Sequence, residues 1–416
     1  MKREDVPFML RQASDRLPEP ELADAAWAAG FAHRRRQRRS IIAGLIALLL
    51  VVVAGVLVMT LGGGKSAFTP PDTTPTPPGY VPPAGQISGI TYWNAPPAGS
   101  ERFLDRVTTP LGELLQLPNE AGDLKTNPVD RIAAVTLAAQ GSGYVPLFLS
   151  AEGHWARASH ELHPIVSGWP LSSGSIAPNG KLVAFPQSSG VYVIDASTSD
   201  ARQIALPAED IRSVSWLANS TRLLVSGPGA AYQLDVDLET TKQPVVGRVA
   251  VSNDAEDATA PYRLDGAAGA VALRQYAGNN GWVEVSSPGL PVERWIGQTF
   301  AGGNLVARMF VAAQLPQVPT VASAAQVLAA ISTLEPRDDR LLVLGETPAA
   351  TPTPGRTSPD RIREPGCCFL LGWYDNQTAL FQVTDWLLAW NLQTGKVRRV
   401  TELDVDGVAL GPGIRG

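Results

Sequence analysis

The chain has 416 residues, of which 44% are hydrophobic and 18% charged, and its formal net charge is −5. That is enough apolar material for one large or two medium domains with real cores, and the acidic balance excludes a nucleic-acid binder that works by bulk charge. The only two cysteines, Cys367 and Cys368, are adjacent, which excludes a disulfide-stapled scaffold.

Residues 1–40 are too few to bury a core. Two short helices are predicted, about Val6–Arg16 and Glu19–Arg39, separated by Pro18 and Pro20. Leu22, Ala25, Trp27 and Phe31 give the second a weakly apolar stripe that leads into an arginine cluster. Such a stub either lies on a membrane surface or docks a cytoplasmic partner.

Ile41–Leu61 reads IIAGLIALLLVVVAGVLVMTL, with no charge and no proline. At about 1.5 Å per residue it spans roughly 31 Å as a helix, which matches a hydrocarbon core of roughly 30 Å. A cleaved signal has a shorter apolar run after a shorter leader, so a retained transmembrane helix is predicted. Arg34, Arg35, Arg36, Arg38 and Arg39 abut its N-terminal end, whereas the other end begins with Gly62-Gly63-Gly64-Lys65. The positive-inside rule then puts residues 1–40 in the cytoplasm and the bulk of the chain outside the cell membrane. The arginines face anionic head groups. Residues 62–85 are rich in Pro, Gly and Thr and are expected to form an extended stalk.

From Gln86 onward the chain shows short β-type runs separated by Gly, Pro, Asn and Asp. The most informative feature is a self-similarity. Ser175-Ile176-Ala177-Pro178-Asn179-Gly180 leads into Leu182–Phe185 and Val191–Asp195. A shift of 40 residues lays Asn219 on Asn179, Tyr232 on Tyr192 and Asp235 on Asp195. A third copy runs from Leu371 through Trp386–Asn391 to Val400. A period near 40 with four short strands per unit is the signature of a β-propeller blade. One four-stranded blade cannot bury both its faces alone, and radial stacking covers them. Asp195, Asp235 and Asn391 are placed to close the turn after the third strand.

These units resemble those of WD-repeat and TolB-type propellers. The resemblance is carried by SIAPNGKLVAF with GVYVIDAST, and by LLAWNLQTGKVRRV. Asn179 stands where that pattern has Asp, and the Gly-His pair of WD repeats is absent. The whole arrangement resembles membrane-anchored WD-like proteins of actinobacteria. Counting gives units at 130–165, 172–208, 212–248, 262–297, 300–347 and 366–402. Residues 87–118 and Val405–Leu410 are left over. The expected fold is therefore an all-β propeller over 86–416 of seven blades, the last shared between the two ends, with six as the runner-up. PQVPTVASAAQV, at 316–327, reads as a long insertion.

No Gly-x-Ser-x-Gly elbow occurs, and the outer region has three histidines, His154, His160 and His163, at spacings that fit no known zinc motif. Cys367 and Cys368 read as two small core residues on one strand, as a vicinal disulfide, or as a redox pair. Acidic runs at Asp254–Asp257 and Asp404–Asp406 suit either Ca²⁺ or solvent. Trp216, Trp373 and Trp390 fall at repeat-equivalent or strand positions and read as core. No catalytic residue, cofactor or metal is assigned. The expected function is an envelope binding or scaffold module on a membrane anchor, its propeller face taking a protein or polymer. A propeller hydrolase and a transmembrane signalling receptor are the alternatives.

Overall fold

The computed structural model describes residues 79–416 apart from 98, 167–168, 208–210, 218–219, 228–229, 237–245, 250–254, 257–260, 266–271, 277–281, 287–289, 291, 313–323, 334–337 and 349–367. The predicted membrane helix, the arginine cluster, most of the stalk and Cys367 lie outside those residues. No helix among the described residues is long and apolar enough to cross a membrane.

Twenty-seven strands, β1 to β27 in chain order, form six sheets among the described residues. β5 (Ile132–Gln140), β6 (Gly143–Ser150) and β7 (Trp155–Arg157) make one meander, joined at its edge by β4 (Gly122–Asp123). The next is β8 (Leu182–Gln187), β9 (Gly190–Asp195) and β10 (Ala201–Ala205). It is followed by β11 (Ser213–Trp216), β12 (Arg222–Gly227), β13 (Ala230–Asp235) and β14 (Val246–Val249). A fourth holds β15 (Ala255–Glu256), β16 (Pro261–Asp265), β17 (Ala272–Tyr276) and β18 (Trp282–Ser286). A fifth holds β19 (Val292–Gly302), β20 (Leu305–Ala312), β21 (Ala324–Thr333) and β22 (Arg340–Pro348). The last is β23 (Cys368–Asp375), β24 (Thr378–Val383), β25 (Trp386–Asn391) and β26 (Val397–Asp404).

The 40-residue repeat is a repeat of register. Leu182 faces Asp195 and Phe185 faces Tyr192; forty positions on, Arg222 faces Asp235 and Val225 faces Tyr232. The Ile176–Val183 bridge has its counterpart in Trp216–Leu223. Gly180 takes a positive φ of 74°, and Ser220, its equivalent, takes 57°. A serine in that region is strained. Here its Oγ accepts the N–H of Asn179 at 2.9 Å, which ties the two copies together.

The turn after the third strand is shared too. Asp195 Oδ1 accepts the N–H of Ser197, and Asn391 Oδ1 accepts the N–H of Thr394, as the Asx positions suggested. Each turn then places a positive φ four residues on, at Ser199 and Gly395. At Gly395 a Cβ would also stand 2.7 Å from the Val81 carbonyl oxygen. Gly395→Ala is therefore expected to cost about 1–3 kcal/mol, through strain and displaced backbone. Urea unfolding of the purified chain checks this.

The strands are apolar in continuous runs because both sheet faces are covered. In β25, Leu387 and Ala389 join the core shared with β5, while Leu388 and Trp390 join the core shared with β20 and β21. In β20, Ala307, Met309 and Val311 face one neighbouring sheet, and Val306, Phe310 and Ala312 face the other. In β9, Val193 packs toward β12 while Ile194 packs toward β5. Alternate residues of one strand thus serve two different cores, which is radial blade stacking read at single-residue scale.

The seven-blade expectation is corrected. Five sheets line the axial cavity among the described residues. The sixth, β15–β18, packs on β19 and β20 through Tyr262 and Leu264 and lends the lining no described residue. The leftover segments do not build a further blade either. β1 (Gly85–Ile87) and β2 (Ile90–Asn94) extend the fifth sheet, with β2 parallel to β22. β3 (Leu114–Gln116) lies parallel to β26, and β27 (Ala409–Leu410) pairs with β5. Strands of two to five residues are too short for a blade of their own, yet they satisfy open edges of existing sheets. Two boundaries also move. The expected break at 297–300 falls inside β19, and Ala324 onward belongs to β21 rather than to an insertion.

The two ends of the described chain therefore interlock. Lys396 pairs with Asp105 across the β26 side. That ammonium, by hydrogen bond and charge, holds the exposed Asp105 carboxyl below the usual carboxylate range.

Candidate functional site

A cavity of about 440 Å³ lies where five sheets converge. Each sheet contributes a short stretch: Gly174–Pro178, Ser215–Trp216, Thr299–Gly303, Leu371–Trp373 and Leu410–Pro412, with Arg415 beyond. The sequence leaves room there by putting small residues at the inner ends of the strands. Gly302 is the clearest case, because a Cβ on it would meet the Trp373 ring at 2.5 Å. Gly411 and Gly413 likewise let the chain end run against the backbone of Ile132.

The polar groups of this cavity are few. The Trp216 indole N–H donates to the Ser175 carbonyl at 2.8 Å, so that ring is fixed. By contrast, Thr299 Oγ1, the Gln298 amide nitrogen and the Trp373 indole nitrogen have no hydrogen-bond partner among the described residues. Thr299 is 1% exposed and Gln298 7%. A buried polar atom without a partner costs about 1–3 kcal/mol, so three around one cavity call for an account. Arg415 is the one charged side chain in the lining, and it is exposed at the rim. Arg131 donates to the carbonyl of Pro412 at 3.1 Å beside it, with Glu152 also in its field.

The predicted residues fall elsewhere or outside. Arg34, Arg35, Arg36, Arg38, Arg39 and Cys367 are not among the described residues, nor are Asp254 and Asp257. Cys368 opens β23 as a buried residue, in the position expected of a core cysteine. His154 Nδ1 lies 2.7 Å from Ser150 Oγ. That oxygen also accepts the N–H of Glu152 and of His154, and Ser150 is fully buried, so the group is a turn and not a nucleophile with its base. A hydrogen bond between the Ser150 hydroxyl and the Glu152 carboxyl, then one from the Glu152 backbone N–H, holds that carboxyl below the usual carboxylate range. His160 stacks on Tyr192 at 5.3 Å, and the His163 N–H donates to Gln187. Asp404 and Asp406 do meet Asp385 and Glu402 around a second concavity of about 500 Å³. No group of three or more His, Cys, Asp or Glu among the described residues is spaced to hold a metal ion.

Trp390 is fully buried, as read from the repeat. Trp216 is a core residue and Trp373 a half-buried one packed against the core, and both also line the cavity, a role the repeat alone did not reveal. Gln298, Thr299 and Arg415 were missed, since none sits in a motif. The Gly302-Gly303 and Gly411-Pro412-Gly413 runs were the available signal.

Sheets stacked radially about an axial cavity define a β-propeller. No protein-family model matches the chain, and no curated protein does. Among solved structures it is similar to Kuenenia stuttgartiensis hydrazine synthase, at 12% identity and a TM-score of 0.37, over 67% of this chain and 80% of that one. It is also similar to TolB from Acinetobacter baumannii, at 16% identity and a TM-score of 0.36, over 68% and 66%. An uncharacterized protein from Listeria monocytogenes EGD-e gives 9%, 0.39, 71% and 92%. At these values the likeness concerns architecture alone, and the site rests on its own residues.

Proposed function

We propose that the chain is a membrane-anchored binding module whose propeller stands outside the membrane and takes its ligand at the axial cavity. The observation that carries this reading is the composition of that cavity among the described residues: hydrogen-bonding groups without partners and one cation, with no carboxylate or imidazole in its lining. General acid–base or nucleophilic catalysis needs such groups within reach of each other. Binding needs only complementary surface with a few placed polar groups, in a cavity of about 300–1,000 Å³.

The anchoring part rests on Ile41–Leu61 and on the arginines before it. Protease added outside intact cells should remove the C-terminal mass and leave a fragment of residues 1–61 in the membrane. Protection of the large part overturns the topology. Deleting residues 1–32 while keeping the anchor should leave ligand binding and its cellular effect intact. Loss of the effect with binding retained would instead favour a signalling receptor.

A further inference from the structure

The chemistry of the cavity says which kind of ligand it takes. The inference rests on the binding-module reading and narrows it. The Trp373 indole and the Gln298 amide nitrogen can only donate, and the Thr299 hydroxyl can donate or accept. Thr299 lines the cavity directly. The Gln298 amide lies against Gly174, and the Trp373 ring against Gly302, both of them lining positions. A side chain at either glycine would collide with those groups, so the glycines are what lets the donors lie against the lining.

Charge points the same way. Arg415 is the sole charged side chain in the lining, and it has no ion-pair partner among the described residues. Arg131 stands beside the same rim through Pro412, and Glu152, an acid in its field, is outside the lining. Donors and a cation, with no carboxylate in the lining among the described residues, make a site for an anion. A planar guanidinium fork matches the two oxygens of a carboxylate, and Arg415, the one cation of the lining among the described residues, balances its single charge, while Arg131 stays outside the lining on the Pro412 carbonyl. A phosphate dianion would keep a surplus charge in a half-enclosed cavity, which is costly. The rest of the lining, with Ile176, Phe300, Leu371 and Leu380, is apolar. It suits a hydrocarbon body behind the charge.

We propose that the axial cavity binds a carboxylate carried on an apolar body, its charge met by Arg415 and its remaining hydrogen bonds by Thr299, Gln298 and Trp373. The carboxylate is that of a free acid or of a peptide end, since both present the same group.

The test is calorimetric titration of the full chain in detergent with four probes: N-acetyl-Ala-Ala-Leu as free acid, its carboxamide, 4-methylpentanoate and inorganic phosphate. The peptide acid or 4-methylpentanoate should bind, and the peptide acid should bind at least about tenfold tighter than its carboxamide. Arg415→Ala should remove that difference and Arg415→Lys restore part of it. Arg415 is exposed, so neither variant endangers the fold. Thr299→Val, which keeps the shape and deletes the hydroxyl, should weaken the acid about three- to tenfold at an unchanged melting temperature. Preference for 4-methylpentanoate over the peptide supports the proposal with a free acid as source; the reverse supports it with a chain end. Equal binding of acid and carboxamide, no binding of either acid, tighter binding of phosphate, or indifference to Arg415→Ala overturns it. If filling the cavity abolishes capture of an envelope component while both acids fail to bind, the binding module stands and the carboxylate assignment falls.

Discussion

A chain lacking residues 405–416 is expected to lose most of its folding stability. Those residues supply β27, whose Ala409 and Leu410 pair with Val135 and Ala134 of β5. Val408 and Ile414 are buried in the core between β5 and β25, and Ala409 in the core that β5 shares with β8. The Gly411 N–H donates to the Ala133 carbonyl, and the Thr136 hydroxyl donates to the Gly407 carbonyl at 2.8 Å. Burying a Val or Ile contributes about 1.5–3 kcal/mol, and each net hydrogen bond about 0.5–1.5 kcal/mol. The total is about 4–9 kcal/mol, a large share of the roughly 5–15 kcal/mol by which domains are stable. Removal also strips the outer edge of β5, a nine-residue strand, and leaves it open to other strands. Urea unfolding followed by tryptophan fluorescence should show the midpoint collapse, with aggregation at working concentrations. A midpoint shift worth less than about 1 kcal/mol would mean that the tail is not what closes this part of the ring.

The second large effect is expected at Trp390. It is fully buried on β25 and meets Trp93 of β2 with ring centroids 5.8 Å apart. Trp93 in turn donates its indole N–H to the Val81 carbonyl. The two rings therefore join a strand near the start of the described chain to one near its end. Truncating a buried tryptophan to alanine costs about 3–5 kcal/mol, because contacts are lost and a cavity is left. Trp390→Ala should approach the upper end, since its neighbours Leu342, Phe381 and Met309 belong to rigid strands and cannot collapse inward. Trp390→Phe should cost less, because most of the volume remains. Chemical denaturation of both variants gives the comparison. Equal effects would show that the indole edge, not the ring volume, holds the site.

The repeat was legible because it is local. Asn179, Tyr192 and Asp195 and their partners forty residues on lie within hairpins, where register follows from turn chemistry. What failed was arithmetic over distance. The leftovers 87–118 and 405–410 were assigned a blade of their own, whereas the strands found there, at 85–94, 114–116 and 409–410, join existing sheets. Which sheet edge a short strand takes is decided by pairing across some three hundred residues, such as Glu402 with Leu114. A sequence read in windows carries no such information. The β19 boundary was misplaced for a related reason: Val292–Gly302 is one long strand with irregular pairing to β20 between Ile296 and Phe300, and such a break in the alternation imitates a turn.

The site was less legible than the fold. Trp216 and Trp373 were found through the repeat and given half their role. Arg415 has no neighbourly pattern at all, and Gln298 and Thr299 matter only because strand geometry leaves their polar atoms without partners. Functional polarity of this kind is visible only once hydrogen bonds can be assigned atom by atom. The histidines show the converse. His154, His160 and His163 fit no known zinc motif by spacing, and each is engaged in a turn, a ring contact or a backbone bond.

The central claim is that the axial cavity is where this protein binds. It is tested most directly by filling the cavity and leaving everything else in place. Ser173 lines it and is only half-buried, so Ser173→Trp can project a ring into the space without disturbing a core. Full-length native and Ser173→Trp chains of equal melting temperature are immobilised and exposed to the same envelope extract, and bound material is weighed by mass spectrometry. The account predicts a saturable component on the native chain that falls at least about tenfold on the filled one. Equal capture by the two chains, or none by the native chain, contradicts it.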